Sequence, residues 1–236
     1  MEKPMKTIGL LGGMSWESTL VYYRAINERV KAELGGLHSA RIVLHSVDFE
    51  PIERLQHAGD WQGAAEILVD AARSVQNAGA DFLLICTNTM HQVAPEIEAA
   101  IDIPLLHIAD ATAERLKSDG IETAGLLGTA FTMEQAFYKE RLSKQHGLRV
   151  LVPNDRDRAT VHRVIYDELC LGRINPASRE QYLRIIDGLA AEGAEAVILG
   201  CTEIGMLVKD ADTPVMLMDT TAVHAEAAVK EALRGE

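Results

Sequence analysis

One short pattern occurs twice in this chain. Gly79-Ala80-Asp81-Phe82-Leu83-Leu84-Ile85-Cys86-Thr87-Asn88-Thr89 and Gly193-Ala194-Glu195-Ala196-Val197-Ile198-Leu199-Gly200-Cys201-Thr202-Glu203 each read as a small-residue turn, a buried apolar strand and a polar cluster at the strand's carboxyl end. Aligned on their Gly-Ala starts, they set Thr87 opposite Cys201 and Cys86 opposite Gly200. A repeated strand-and-tip unit restricts the fold to two related halves, each burying the same kind of face. Matching polar tips suit chemistry on both faces of one small molecule.

Strand and helix signals alternate throughout. Thr7–Leu11, Arg41–Val47, Phe82–Cys86 and Pro104–Ile108 read as strands, separated by helices at Ser15–Leu34, Trp61–Asn77 and Met90–Ile101 and followed by one to about Ser118. The pattern then restarts. Thr123–Leu127, Arg149–Val152, Ala196–Leu199 and Val215–Met218 read as strands, with helices at Ala159–Leu171, Ser178–Glu192 and Thr221–Leu233. Short apolar strands between helices imply parallel sheets covered on both faces. With a repeat offset of about 110–116 residues, the expected fold is α/β. It comprises two similar four-stranded parallel-sheet domains related by a pseudo-twofold axis, with the active site between them. Their expected bounds are 1–118 and 119–236, with the 221–236 helix packing back on the first. Ligands of such sheets sit at the carboxyl ends of strands, which directs attention to Gly12–Ser15, Thr87–Thr89, Gly128–Thr132 and Cys201–Glu203.

Charge excludes some partners. The net charge is −12, a field that repels nucleic acid and anionic lipid. No apolar run approaches the ~20 residues a membrane span needs, so neither nucleic acid nor membrane is an expected partner. The opening Met1-Glu2-Lys3-Pro4-Met5-Lys6 is too short and polar for a signal peptide. The three cysteines have neither metal-site nor disulfide-framework spacing, which fits reduced thiols in a cytoplasmic protein.

Individual motifs leave alternatives. Gly12-Gly13-Met14-Ser15 lacks the phosphate-loop patterns, and reads either as a structural turn or as a backbone cradle for a carboxylate at a helix start. Cys201 reads either as a small buried hydrophobe or as a reactive thiol at a polar strand end. Cys86, one residue deeper, faces away from Thr87 and reads as structural, and Cys170 as core or near the pocket wall. His45, His91 and His107 read as packed groups rather than metal ligands, and Arg156-Asp157-Arg158 as a solvated surface.

Taken together, Leu10-Leu11-Gly12-Gly13-Met14-Ser15, His45-Ser46-Val47-Asp48-Phe49, Cys86-Thr87-Asn88-Thr89-Met90-His91 and Leu199-Gly200-Cys201-Thr202-Glu203 resemble the cofactor-independent aspartate/glutamate racemases over nearly the whole chain. That family's pattern has a cysteine before Asn-Thr in the first half and another before Thr-Glu in the second. Here Thr87 fills the first slot and Cys201 the second, as in the L-aspartate/glutamate-specific branch. Glutamate racemases proper tend to carry an aspartate near the first strand and a histidine after the second Cys-Thr. Gly9 or nearby residues and Glu203 stand in those places here, which leans away from that branch.

The resemblance implies an isomerase with Cys201 and Thr87 as catalytic acid/base groups, Cys201 acting on the L-enantiomer. It also implies substrate contacts from Met14, Gln56 (in the loop after the second strand), Asn88, Thr89, Thr202 and Glu203, with no metal and no cofactor. Helix starts after Gly12 and Cys201 are expected to support a thiolate. Partners reduce to an amino-acid substrate and a second copy in a homodimer. Other expectations are a hydantoin racemase, maleate isomerase or arylmalonate decarboxylase on the same scaffold, or a two-lobed sensor without catalysis.

Overall fold

The computed structural model describes residues 5–234. Met1–Pro4 of the opening segment and the last two residues of the expected 221–236 helix lie outside them. The chain divides into two compact units, Met1–Ile108 with His224–Glu236, and Ala109–Val223.

The first unit is built on β1 (Ile8–Gly12), β2 (Ile42–Ser46) and β3 (Phe82–Ile85), parallel and in the order β2-β1-β3. Helices α1 (Trp16–Leu34), α2 (Phe49–Ala58), α3 (Trp61–Asn77) and α4 (Ala94–Glu98) connect and follow them. Every residue of β1 and β3 is buried, and the two-residue side-chain period sorts them onto two faces. Ile8, Leu10, Phe82, Leu84 and Cys86 pack with Tyr22, Ile26 and Val30 of α1 and with Ala225, Ala228, Val229 and Ala232. Leu11, Leu83 and Ile85 pack with Ala64, Leu68, Ala72 and Val75, the apolar stripe of α3. Gly9 makes that second face possible, because a Cβ there would meet Val75 Cγ1 at 2.6 Å.

The second unit holds β4 (Thr123–Gly128), β5 (Arg149–Leu151), β6 (Ala196–Gly200) and β7 (Met216–Asp219), in the order β5-β4-β6-β7 and all parallel. Its helices are α5 (Ile108–Ser118, from Ala109 on), α6 (Ala130–Glu134), α7 (Ala136–Glu140), α8 (Asp155–Asp167), α9 (Pro176–Ala191), α10 (Ile204–Leu207) and the start of α11 (Thr220–Leu233), which continues into the first unit. Local signals set their starts. Asn154 caps α8 through a bond from Asp157 N, and Asn175 caps α9 ahead of Pro176 at the first helical position.

The two sheets share one connectivity, with a central buried strand flanked by the second and third. They differ at the edge. The expected fourth strand at Pro104–Ile108 reduces to one parallel bridge, Leu83↔Leu105, where the second sheet pairs Val197 with Leu217 and continues to Asp219. Proline has no N–H to donate, and helix α5 begins at Ile108, so only Leu83 N to Pro104 O and Leu106 N to Leu83 O form.

The division falls before α5, not after it as the bounds 1–118 and 119–236 have it. Asp110 on α5 accepts from Arg141 Nε and Nη2, at 2.7 and 2.6 Å, and bonds His146 Nε2 at 2.8 Å. Asp157 also departs from its reading as solvated surface. It is buried and gripped by Arg184 at 3.0 and 2.5 Å, and this hydrogen-bonded guanidinium holds its carboxyl below the usual carboxylate range. A charged triplet in sequence does not reveal that a partner lies 27 residues away on α9.

Candidate functional site

Each unit presents a polar cluster where a central strand ends. In the first, β1 runs into Gly12-Gly13-Met14-Ser15. Gly13 has φ 95°, and a Cβ there would meet Val47 O at 2.2 Å, so only glycine fits. Its N–H is already given to Thr19 Oγ1 at 2.8 Å, and that hydroxyl donates to Ser15 O at 2.9 Å. Ser15 caps α1, accepting from Ser18 N. This bonding favours the structural-turn reading over the carboxylate cradle, since the Gly13 donor is spent inside the turn. Met14 is buried in the α3-side core.

Strand β3 leads to Cys86 and then Thr87-Asn88-Thr89, which opens a 3₁₀ turn at Thr89–Val93. Cys86 is fully buried, and that burial pushes its thiol well above the usual range. Thr87 is half-buried and Asn88 and Thr89 are buried. Two side chains brace the backbone here. Ser18 Oγ donates to Cys86 O at 3.0 Å, and His91 Nδ1 donates to Thr87 O at 2.8 Å.

Gln56 does not lie in a loop. It sits on α2, buried, with Nε2 2.7 Å from Met90 Sδ and with Oε1 buried and unpartnered. The missed helix has a legible start in retrospect, since Asp48 caps it through Glu50 N. Its ten residues are short enough to pass for a connection.

In the second unit β6 ends at Gly200 and is followed by Cys201-Thr202-Glu203. Cys201 is half-buried and Glu203 is buried. Cys201 Sγ donates to Glu203 Oε2 at 3.0 Å. Burial raises the thiol pKa well above its ordinary value, and the charge of Glu203 raises it further. The Glu203 backbone N–H opposes this and is outweighed. The expected helical support for a thiolate is therefore slight: α10 after Cys201 is four residues long, and the side chain bonded to the thiol is an acid. Thr221 Oγ1 donates to Thr202 Oγ1 at 3.1 Å, and Thr220 Oγ1 to Leu199 O at 2.9 Å, so the start of α11 braces this strand end. At the end of β4, Thr129 caps α6 through Thr132 N, and Ala130 N donates to His162 Nδ1 at 3.1 Å.

The structure thus groups Thr87, Asn88 and Thr89 at one strand end and Cys201, Thr202 and Glu203 at another. Sequence reasoning missed the Cys201–Glu203 bond and the bracing by Ser18 and His91. Among the described residues, no group of three or more His, Cys, Asp or Glu is placed to hold a metal ion, and no helix is long and apolar enough to cross a membrane.

Parallel sheets with hydroxyl, amide and thiol groups at their strand ends define an α/β protein that handles a small ligand. A profile of the Asp/Glu/hydantoin racemase family matches residues 11–228. The chain is similar to the broad specificity amino-acid racemase RacX of Bacillus subtilis, at 25% identity over 171 residues, 72% of this chain and 73% of that one. It is also similar to the crystal structure of a Yersinia pestis protein to which Asp/Glu racemase activity has been ascribed, with TM-score 0.92 and 58% identity over 98% of this chain and 100% of that one. The structure of an aspartate racemase homologue from Pyrococcus horikoshii gives TM-score 0.85 and 33% identity, covering 98% and 100%. The chain belongs to the Asp/Glu/hydantoin racemase family and is an isomerase.

Proposed function

We propose that this enzyme racemises aspartate or glutamate without a cofactor, using Cys201 and Thr87 as its two proton-transfer groups. The observation that carries the reading is the thiol-to-carboxylate bond from Cys201 to Glu203. It gives a raised-pKa thiol a proton acceptor at contact distance. Transfer of the Sγ–H proton to Glu203 Oε2 yields a thiolate, which removes the α-proton of the L-enantiomer. The Thr87 hydroxyl delivers a proton to the opposite face, and water restores Thr87, which is half-buried. Glu203 returns its proton to solvent as the cycle closes. Positioned acid/base groups of this kind contribute roughly 10²–10⁴-fold each.

The backbone and side chains of Asn88, Thr89 and Thr202 hold the amino and carboxylate groups in this reading. Gln56 offers the substrate's side-chain carboxylate an N–H of its amide Nε2, which otherwise faces Met90 Sδ, and Met14 supplies apolar wall. A hydroxyl is a poor base, so turnover starting from the D-enantiomer has the lower kcat. Thr87→Cys is expected to raise it.

Proton NMR of L-aspartate and L-glutamate in D₂O with the enzyme is the test, and loss of the Hα signal is the expected result. Persistence of that signal with both amino acids would refute the reading, and product analysis on hydantoins and maleate would then decide among the related reactions. The reading extends to a cytoplasmic homodimer. Trp16, Leu20 and Tyr23 expose one apolar stripe of α1, at 64%, 50% and 49%, which a second copy would cover. Sedimentation equilibrium reports the stoichiometry.

A further inference from the structure

We infer that His91 and Ser18 are positioning residues for Thr87, fixing its backbone from both sides. The inference rests on the reading of Thr87 as the group that protonates the face opposite Cys201. The direction of a threonine hydroxyl is set by its Cα–Cβ bond, and that bond by the two peptide planes meeting at Cα. Each plane here is held by a side chain. Ser18 Oγ, on α1, donates to the carbonyl of Cys86 at 3.0 Å, and His91 Nδ1 donates to the carbonyl of Thr87 at 2.8 Å. Ser18 and His91 are 2% and 1% exposed, so both donors are shielded from water, although Thr87 itself is half-buried.

The histidine is itself held. A carbonyl only accepts, so Nδ1 carries the proton, and Nε2 accepts from Ile108 N at 3.3 Å. That network assigns the neutral imidazole with the proton on Nδ1. The rings of His107 and His224 lie 4.4 and 6.0 Å away. His224 is locked in turn between Tyr22 OH at Nδ1, 2.8 Å, and Leu106 O at Nε2, 2.7 Å. A histidine here therefore does what a chain leaving a strand requires at its tip: it ties the carbonyl of residue 87 to the segment around residue 108. Placement within a few tenths of an ångström matters for proton transfer, because a misplacement near 1 Å costs on the order of 10²-fold.

The bonds make different demands on a substitute. Asparagine places an N–H near the Nδ1 position, and glutamine places an acceptor near the Nε2 position. His91→Asn therefore keeps the tie to Thr87, whereas His91→Gln keeps only the tie to Ile108. The readout is a ratio measured with L-aspartate in D₂O: inversion to the D-enantiomer against α-deuterium uptake with retention. Uptake with retention needs Cys201 alone, while inversion needs Thr87 as well.

Thr87→Ala serves as the reference and is expected to lower the ratio sharply. His91→Gln and Ser18→Ala are expected to lower it by on the order of tenfold, with His91→Asn within about twofold of the parent enzyme. A general loosening of the fold would reduce inversion and uptake together and leave the ratio unchanged. If Thr87→Ala lowers the ratio but neither His91→Gln nor Ser18→Ala does, positioning is overturned while the role of Thr87 stands. Equal losses in His91→Asn and His91→Gln would also overturn it. If Thr87→Ala itself leaves the ratio intact, the role of Thr87 falls and the inference falls with it.

Discussion

At the scale of single residues, two cysteines one position out of register carry opposite expectations. Cys201 is half-buried and bonded to a carboxylate, and Cys86 is sealed in the core between β3, α1 and α11. Cys201→Ser is expected to abolish α-hydrogen exchange with solvent deuterium. Cys86→Ala removes only one buried sulfur, costs about 1 kcal/mol of packing, and should retain most of the exchange. The same NMR assay reads both, and loss of exchange on changing Cys86 would show the register to be wrong.

Glu203 allows a sharper experiment. Its charge is among the causes that raise the Cys201 pKa, so Glu203→Gln should lower that pKa. Thiol alkylation at fixed mildly alkaline pH then becomes faster, while racemisation slows by tenfold or more, within the ~10²–10⁴ attributed to a positioned base. Faster alkylation together with faster racemisation would mean that Glu203 restrains the thiol rather than accepting its proton. The Thr87–Cys201 correspondence was legible in sequence because both sit on matching apolar strands with the same Gly-Ala start. The Cys201–Glu203 bond was not legible. Residues two apart share a face only while the strand lasts, and at Gly200 it ends.

Among elements, the central strands announced themselves because parallel, doubly covered strands are continuous apolar runs. Edges and connections did not. Helix α2, with Gln56 on it, lies where a loop was expected, and the strand at Pro104–Ile108 gave way to a single bridge because proline and a helix start crowd it. The pairing of α5 with the second unit was equally hidden, since it depends on side chains far apart in sequence. The Asp110 clasp offers a test of it. Burial pushes the Asp110 carboxyl up, but hydrogen bonds and charge from Arg141 and His146 bring it below its ordinary value.

Asp110→Asn is expected to destabilise the protein by about 1 kcal/mol, somewhat below the ~1.5–3 kcal/mol of a hydrogen bond to a charged group, because these side chains are 18–28% exposed and solvent screens them. The sign with pH follows from the depressed folded-state value. The carboxylate's contribution is fully present above its unfolded pKa of about 3.9 and is lost as pH falls through the lower folded one. The gap between thermal melts of parent and variant should therefore begin to close below about pH 4 and vanish only below the lower folded-state value. A gap that persists there would show that the carboxylate's charge is not what the clasp uses.

For the whole molecule, the duplication is symmetric in connectivity and asymmetric in chemistry. Both sheets run central strand, flanking strand, polar tip, yet one tip carries an alcohol and the other a thiol beside an acid. A hydroxyl at Thr87 and a thiol at Cys201 differ by several pKa units as bases, so the two directions of a racemisation start from unequal groups. Thermodynamics limits how that inequality is expressed. Enantiomers have equal free energy, so kcat/KM must be the same from either side, and the asymmetry is confined to kcat and KM changing together. Full progress curves from L- and D-aspartate should end at the racemic point with equal kcat/KM, and with the higher kcat and the higher KM on the L side. Thr87→Cys should draw the two kcat values together without separating the two kcat/KM values. Curves that stop short of the racemic point with active enzyme remaining would mean that the reaction is not a simple reversible proton exchange, and would favour one of the scaffold's irreversible chemistries instead.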